Sequence, residues 1–295
     1  MSRLALAALT AQIGIVVTGG AVRLTKSGLG CPTWPRCSAG SFIPSSSNSH
    51  HAVNQAIEYT NRLLTSVVLA AGIAVLVAVY RSQSRRRELV RLAWLQPLGV
   101  VAQIVLGGIT VLVHLNPIAV GSHFMLSMGI IAASWVLWVR TKEGDGPPQR
   151  LVPLQVRLMA RVLTGVVLAL LVVGTIVTGA GPHAGDNTSP RYHLRVDDIT
   201  QIHADLVWLT IGLTLALWAA VAATTSSRAP VLALRDLFII ELAQGIIGYV
   251  QYATNVPAVL VGFHILGACL VWAATLRVLT STRDRQPPPT QIART

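Results

Sequence analysis

The chain has 295 residues, of which 53% are hydrophobic and only 12% are charged, and its mean hydropathy is +0.60. Soluble domains carry roughly 25% charged residues, so this composition excludes an ordinary soluble globular protein. The formal net charge of +12 could indicate a nucleic-acid partner, but the distribution of the charges along the chain has another explanation, given below.

Eight apolar segments follow one another, and each is close to the roughly 20 residues that cross a bilayer as a helix. They lie near residues 4–22, 56–80, 93–113, 119–139, 162–180, 200–223, 236–253 and 257–276. The first exceeds the apolar part of a signal peptide, about 7–15 residues, and its pattern recurs later in the chain. We therefore predict an all-α integral membrane protein with eight transmembrane helices, the first of them retained.

Basic residues are concentrated in alternate connections between the predicted helices. With both termini on the cytoplasmic side, 17 of the 23 Lys and Arg residues fall in cytoplasmic segments. The six on the outer side are Arg23, Lys26, Arg36, Arg62, Arg191 and Arg195. This asymmetry follows the positive-inside rule. The basicity therefore indicates how the chain is oriented in a lipid bilayer, and no nucleic-acid partner is predicted.

The two halves of the chain share a sequence pattern. The segment Ala102-Gln103-x-x-x-Gly107 recurs in the second half as Ala243-Gln244-x-x-x-Gly248, and Val17-Thr18-Gly19 recurs there as Val177-Thr178-Gly179. A polar stretch rich in Gly and Pro separates the halves. We predict two pseudo-symmetric four-helix bundles, residues 1–140 and 158–280, joined by a cytoplasmic linker, residues 141–157. A tail rich in Pro, Arg and Thr, residues 281–295, is predicted to be disordered.

Histidines stand at equivalent positions in the halves. His123 and His264 are separated by the same offset as the two Ala-Gln segments, and pairing the second helix with the sixth places Asn61 opposite His203. His203 and His264 are predicted within roughly 10 Å of the outer surface, at 1.5 Å per residue. Imidazole is a good iron ligand, and ionisable residues inside membrane helices tend to be functional. We predict that His203 and His264 ligate one haem; the alternative is that each caps a helix end or bonds a neighbouring polar side chain.

The first half differs because Asn61 is a poor iron ligand. A haem bound there by His123 has an open or weakly coordinated face, which suits chemistry, whereas two strong ligands suit electron transfer. Glu58 lies one helical turn before Asn61 and could accept a proton or stabilise a developing cation. Arg62 could pair with Glu58 or with a haem propionate. The alternative is an interfacial Glu-Arg pair that reaches to water.

The first outer connection, residues 24–55, is longer than its counterpart in the second half. It reads Gly28-Leu29-Gly30-Cys31-Pro32-Thr33-Trp34-Pro35-Arg36-Cys37. Its prolines and short cysteine spacing favour a compact loop, and the outer compartment permits a disulfide between Cys31 and Cys37. A zinc site is disfavoured because no other cysteine pair completes four ligands. Cys269 is predicted to be a small buried apolar residue.

Three further features have simpler explanations. Interhelical hydrogen bonding accounts for Gln103 and Gln244. The repeated Thr-Gly pairs, such as Thr18 with Gly19, are typical of close helix packing. Glu241 could serve a proton path or pair with Arg235.

The cysteine loop, the eight helices in two halves and a histidine in each of the fourth, sixth and eighth helices resemble the haem A synthase family. The resemblance covers nearly the whole chain. It implies that haem O is converted to haem A, by oxidising one ring methyl to an aldehyde in two hydroxylations with oxygen from water, for use in terminal cytochrome oxidase. The alternative is a non-catalytic membrane cytochrome b that passes electrons between a quinone and an outside acceptor.

The resemblance also implies roles for particular residues. His203 and His264 would hold a haem b cofactor through its iron, and His123 would bind the substrate haem O, with Asn61 and Arg62 beside it. The cysteine pair would be redox-active or structural. The implied partners are the enzyme that supplies haem O and an electron acceptor, in a bacterial cell membrane. A homo-oligomer is compatible with the sequence.

Glu58 matches the glutamate of the family's Glu-x-x-His-Arg motif, which is implicated in catalysis. Here the motif reads Glu58-Tyr59-Thr60-Asn61-Arg62. Asn61 therefore replaces the histidine that the family pattern provides as the second ligand of the substrate haem.

Overall fold

The computed structural model describes residues 1–38, 40–44, 49–82 and 86–285. Within them the chain forms eight helices and two short strands. The helices are α1 Ser2–Leu24, α2 Ser49–Arg81, α3 Arg87–Leu112, α4 Pro117–Arg140, α5 Leu154–Ala180, α6 Val196–Thr224, α7 Arg228–Ala253 and α8 Ala258–Ser281. The strands are β1 Gln149–Arg150 and β2 Arg283–Asp284, which pair antiparallel. The helix order matches the eight predicted segments, although α2 begins seven residues before its apolar run, and α5 and α7 each begin eight residues before theirs.

In the described part of the chain, seven helices are long and apolar enough to cross a membrane. The remaining one is α7, whose apolar residues are interrupted by Asp236, Glu241 and two glutamines. Large apolar side chains nevertheless lie on its outside: Ile246 is 65% exposed, and Val259 on the adjoining α8 is 71% exposed. Such surfaces suit contact with lipid tails and not with water. The chain is a multi-pass membrane protein.

Neighbouring helices pack in the same order in the two halves. In the first, α2 and α4 each pack against α1 and α3; in the second, α6 and α8 each pack against α5 and α7. The α3–α4 and α7–α8 turns also share a backbone conformation. His114 and Leu115 have φ of 51° and 59°, and Asn255 and Val256 have φ of 59° and 57°. Left-handed backbone is uncommon for residues other than Gly, so its recurrence in the equivalent turn of the second half supports an internal repeat.

A buried apolar cluster joins the two halves. It includes Met128 and Ile131 on α4, Leu163 on α5, and Cys269 on α8, each of which is fully buried. Across the same interface, the indole Nε1 of Trp272 donates a hydrogen bond of 2.9 Å to the carbonyl oxygen of Met128. The prediction that Cys269 is a buried apolar residue is therefore confirmed.

The end of the molecule that carries most basic residues is held by ion pairs. Arg140 is 2% exposed and bonds to Glu88 at 2.7 Å and to Glu143 at 2.5 Å. The segment predicted as a linker, 141–157, contains β1 and the start of α5. Strand β2 lies within the segment predicted to be disordered, 281–295, of which residues 286–295 lie outside the described residues.

Candidate functional site

His203 on α6 and His264 on α8 lie together between their helices. Their ring centroids are 6.4 Å apart, with an interplanar angle of 56°. Both side chains are half-buried, and the Nδ1 atom of each is buried without a hydrogen-bond partner in the described part of the chain. Each ring therefore keeps one nitrogen that no group in the described part of the chain bonds.

The separation of these rings fits one shared metal ion. An imidazole nitrogen ligates a first-row metal at about 2 Å and the ring centre lies about 1 Å behind it, so two imidazoles on opposite sides have centres roughly 6 to 6.5 Å apart. The observed 6.4 Å falls in that range.

His123 on α4 shares two features with His203 and His264. Its Nδ1 is also buried, without a partner among the described residues. All three rings face a glycine on the preceding helix, and a Cβ added to that glycine would lie close to the Cε1 atom of the histidine. These distances are 3.1 Å for Gly107 and His123, 3.2 Å for Gly174 and His203, and 3.5 Å for Gly248 and His264. The glycines thus make room for the three rings, a role that their recurrence in sequence did not by itself reveal.

Two glutamines secure the backbone of the histidine-bearing helices. Gln103 Nε2 donates a hydrogen bond of 3.0 Å to the carbonyl oxygen of His123, and Gln244 Nε2 donates one of 2.9 Å to that of His264. The predicted interhelical hydrogen bonds are therefore confirmed, and they end on the two repeat-equivalent histidines.

The pairing of Glu241 with Arg235, one of the two alternatives for this glutamate, is wrong. Glu241 is 5% exposed, and its Oε1 accepts a hydrogen bond from Thr214 at 2.9 Å. Arg235 instead bonds to the adjacent Asp236 at 2.7 Å. The physical reason is helix geometry, because Arg235 and Glu241 are six positions apart and do not share a helix face.

The disulfide predicted between Cys31 and Cys37 is present, and both cysteines are buried. In the described residues no group of three or more His, Cys, Asp or Glu side chains could hold a metal ion. The loop packs on α3 through Trp34, whose ring stands where a Cβ on Gly108 would be. Gly108 adjoins Gly107, the glycine facing His123. The disulfide loop therefore lies against the same stretch of α3 that accommodates the first-half histidine.

Glu58 and Arg62 join α2 to the disulfide loop. The carboxylate is 5% exposed; its Oε2 accepts a hydrogen bond from the Cys31 amide at 2.7 Å, and its Oε1 pairs with Arg62 at 2.5 Å. The Arg62 guanidinium also donates to the carbonyl oxygens of Cys31 at 3.0 Å and Thr33 at 3.3 Å. Arg62 was predicted to pair with Glu58 or with a haem propionate, and in the structure it pairs with Glu58. The carboxylate of the pair is buried, whereas the Arg62 side chain is 25% exposed.

Asn61 is bonded to α1. The Thr18 hydroxyl lies 2.8 Å from Asn61 Oδ1 and donates to it. The Thr-Gly pattern indicates helix packing for Thr18 but does not indicate this bond. The sequence does contain a signal for this contact. Thr18 on α1 and Asn61 on α2 stand at the positions that Thr178 on α5 and His203 on α6 occupy in the second half.

The chain is a polytopic helical membrane protein in which two half-buried histidines, His203 and His264, lie side by side, and a third, His123, packs against a glycine of the preceding helix as they do. The sequence comparison narrows this class. A sequence profile of the COX15-CtaA family, described as cytochrome oxidase assembly protein, matches residues 2–276. The chain belongs to this family.

Several curated relatives are named Heme A synthase. The protein of Lysinibacillus sphaericus is 32% identical over 142 residues, which are 48% of this chain and 45% of the relative. That of Halalkalibacterium halodurans is 32% identical over 141 residues, 46% of this chain and 45% of the relative. That of Exiguobacterium sibiricum is 29% identical over 168 residues, 56% of this chain and 53% of the relative. The chain thus spans about half the length of the curated relatives it matches.

Proposed function

We propose that this chain is a haem A synthase, which oxidises one ring methyl of haem O to the formyl group of haem A for terminal cytochrome oxidase. The observation that carries the proposal is the asymmetry between the halves. The second half has two histidines at the spacing of one iron, while the first has one histidine and a buried carboxylate. The name Heme A synthase on several relatives supports the same activity.

The architecture behind this proposal is a pair of pseudo-symmetric four-helix bundles, α1–α4 and α5–α8. Equivalent helix contacts and the matching α3–α4 and α7–α8 turns support it. Each bundle binds one haem near the end that carries the disulfide loop. That end faces away from the cytoplasm, because the basic residues are concentrated at the other.

In the second bundle, His203 and His264 would hold a haem b through its iron, which the 6.4 Å separation of their ring centroids supports. A haem held by two histidines supplies one-electron transfer. In the first bundle, His123 ligates the substrate haem O, and Asn61 and Arg62 contribute to the wall of the site.

The reaction requires an external electron acceptor. Each hydroxylation adds the oxygen of one water to the methyl carbon and releases two electrons and two protons. The second produces a geminal diol, which loses water to give the aldehyde. The acceptor and the enzyme that supplies haem O are therefore the expected partners of this chain.

Glu58 is the catalytic residue in this proposal. Three hydrogen bonds fix the carboxylate, because the Cys31 amide donates to Oε2 and the Nε and Nη2 atoms of Arg62 both donate to Oε1. An ionised carboxylate has about four acceptor sites, so Glu58 retains capacity to accept a proton from the attacking water. Its negative charge also stabilises positive charge that develops on the methyl carbon as electrons leave.

The test is to produce the chain in membranes together with a source of haem O, then extract the haems and identify them by chromatography and mass. We expect haem A with the wild type, and its loss to about 1% or less with Glu58→Gln, the scale of removing one general base. His123→Ala should abolish it. Thr200→Ala is the matched control, because Thr200 stands in the second half where Glu58 stands in the first, three positions before His203.

Recovery of only haem B and unconverted haem O from the wild type would contradict the proposal. In that case the non-catalytic cytochrome b would become the better description of the chain. Haem A formation that persists in Glu58→Gln would leave the activity standing and remove Glu58 from its role.

A further inference from the structure

The side chain of Asn61 is hydrogen-bonded to a neighbouring helix. Asn61 Oδ1, the only atom of this side chain that could ligate a metal, accepts the hydrogen bond from Thr18. Asn61 Nδ2 lies 3.9 Å from where a Cβ on Gly19 would be. The amide is therefore drawn toward Thr18 and Gly19 on α1 and is already engaged there.

The second half shows what a histidine does at the equivalent place. The recurrence of the Val-Thr-Gly segment aligns Gly14 on α1 with Gly174 on α5. A Cβ on Gly174 would meet the ring of His203 at 3.2 Å, whereas a Cβ on Gly14 would meet nothing within 4 Å. The space beside Gly14 corresponds to the space that an imidazole ring fills in the second half.

We propose that the first half binds its haem through His123 alone, and that the space bounded by Gly14, Thr18 and Asn61 is an axial pocket for one small uncharged iron ligand. This inference rests on the proposed haem site of the first half. None of the three bounding residues carries a charge, so a neutral donor such as water or imidazole fits better than an anion. Thr18 is a positioning residue, because it holds Asn61 away from the iron.

The consequence is a difference in coordination between the two haems. Two imidazoles occupy both axial positions in the second half, so that iron is six-coordinate, low-spin and closed to added ligands. In the first half one position exchanges, so that iron is five-coordinate or weakly six-coordinate and high-spin. Free imidazole should enter the pocket and reproduce the arrangement of the second half.

The experiment uses the purified full chain loaded with haem b, which serves as a non-reacting probe for both sites, and records optical and paramagnetic resonance spectra. We expect one low-spin and one high-spin haem. His123→Ala should remove the high-spin component only. Addition of imidazole should convert the high-spin component of the wild type to low-spin.

Two reciprocal variants test the pocket directly. Asn61→His should be fully low-spin without imidazole and should no longer respond to it, because its own ring fills the space beside Gly14. His203→Asn is the matched control and should produce a new high-spin component in the second half. The imidazole titration of the wild type provides a result even if Asn61→His does not fold.

Thr18→Val tests the positioning role. Without the hydroxyl, Asn61 can swing into the pocket and compete with imidazole. We expect the dissociation constant of imidazole to rise roughly threefold to tenfold, the equivalent of one lost hydrogen bond. Thr18→Ser should restore the wild-type value. An unchanged constant in Thr18→Val would remove Thr18 from this role.

The outcomes separate this inference from the proposed function. A wild type whose first-half haem is low-spin and insensitive to imidazole would overturn the axial pocket, while haem A formation could still be observed. A wild type that binds no haem b in the first half would overturn the axial pocket, and the haem A assay would decide the proposed function separately. Because spin state is measured on haem b without turnover, inactive protein still provides a result.

Discussion

Arg62 shows how one side chain can link a helix to a loop. Its guanidinium pairs with Glu58 and donates to carbonyl oxygens of Cys31, Thr33 and Arg36. Arginine presents five donors in a rigid fork, whereas a lysine has a single ammonium on a flexible stem. The planar group is therefore what allows one residue to orient the carboxylate and to hold the disulfide loop at once.

Arg62→Lys should separate these two functions. We expect the ion pair with Glu58 to be retained but loop carbonyls to lose their donor, at about 1–3 kcal/mol of stability. The measurement is the apparent melting temperature of the purified protein. Arg36→Lys is the control, because Arg36 is an exposed residue of the same loop. Equal melting temperatures for the two variants would show that the carbonyl contacts of Arg62 contribute nothing.

At the scale of elements, each histidine-bearing helix packs against a helix that offers a glycine beneath the ring. On α5 this glycine is Gly174, which faces His203 on α6, and on α7 it is Gly248, which faces His264 on α8. Helix interiors normally disfavour Gly by roughly 0.5–1 kcal/mol relative to Ala. The glycines are nevertheless used here because the rings occupy the volume that a side chain would need.

Gly174→Ala should therefore disturb the second-half haem. The added methyl meets His203 at 3.2 Å, so the ring must move by a few tenths of an ångström, at a cost of about 1–3 kcal/mol for overpacking. We expect a lower apparent melting temperature of the haem-loaded protein and shifted resonance g values of its low-spin haem.

Gly165→Ala on the same helix is the matched control. A Cβ at Gly165 meets nothing within 4 Å, so alanine should be neutral or stabilise the helix by up to about 1 kcal/mol. Identical spectra and melting temperatures for the two variants would argue against a fitted ring at position 203.

At the scale of the whole molecule, the halves share their helix order but not their connections. The first half adds the disulfide loop, which contributes the Cys31 amide to Glu58 and places Trp34 on α3. The second half has a shorter connection and no carboxylate at the position equivalent to Glu58, where Thr200 stands. In the proposed function, each half of the repeat has one haem site. The inserted loop distinguishes the first-half site, because it positions the Glu58 carboxylate there.

The orientation in the membrane can be tested with reporter fusions. We expect a fluorescent protein fused after Thr295 to fluoresce and alkaline phosphatase at the same place to be inactive, because the positive-inside rule puts the basic end in the cytoplasm. Fusions after Gly185, which lies at the opposite end beside the loop of Gly28, should give the reverse pattern. Fluorescence from both positions would invalidate the proposed topology.

The helices and the internal repeat can be predicted from the amino-acid sequence. Apolar runs of membrane-spanning length force the backbone to satisfy its hydrogen bonds internally, so the number and order of the helices follow from composition. The repeat also predicts that His123 and His264 occupy equivalent positions in the two halves, and that His203 is equivalent to Asn61. The Cys31–Cys37 disulfide could be predicted because two cysteines close together in an outer loop have few other partners.

The contacts between side chains of different helices depend on the three-dimensional packing. Only the packing of α1 on α2 showed that Thr18 engages Asn61, and only the fold of the loop showed the Cys31 amide and Arg62 on Glu58. Such contacts join residues up to 43 positions apart in the chain and depend on helix rotation and loop path. Neither is encoded in hydrophobic periodicity, since periodicity fixes which face of a helix is buried but not which residue on the neighbouring helix it meets.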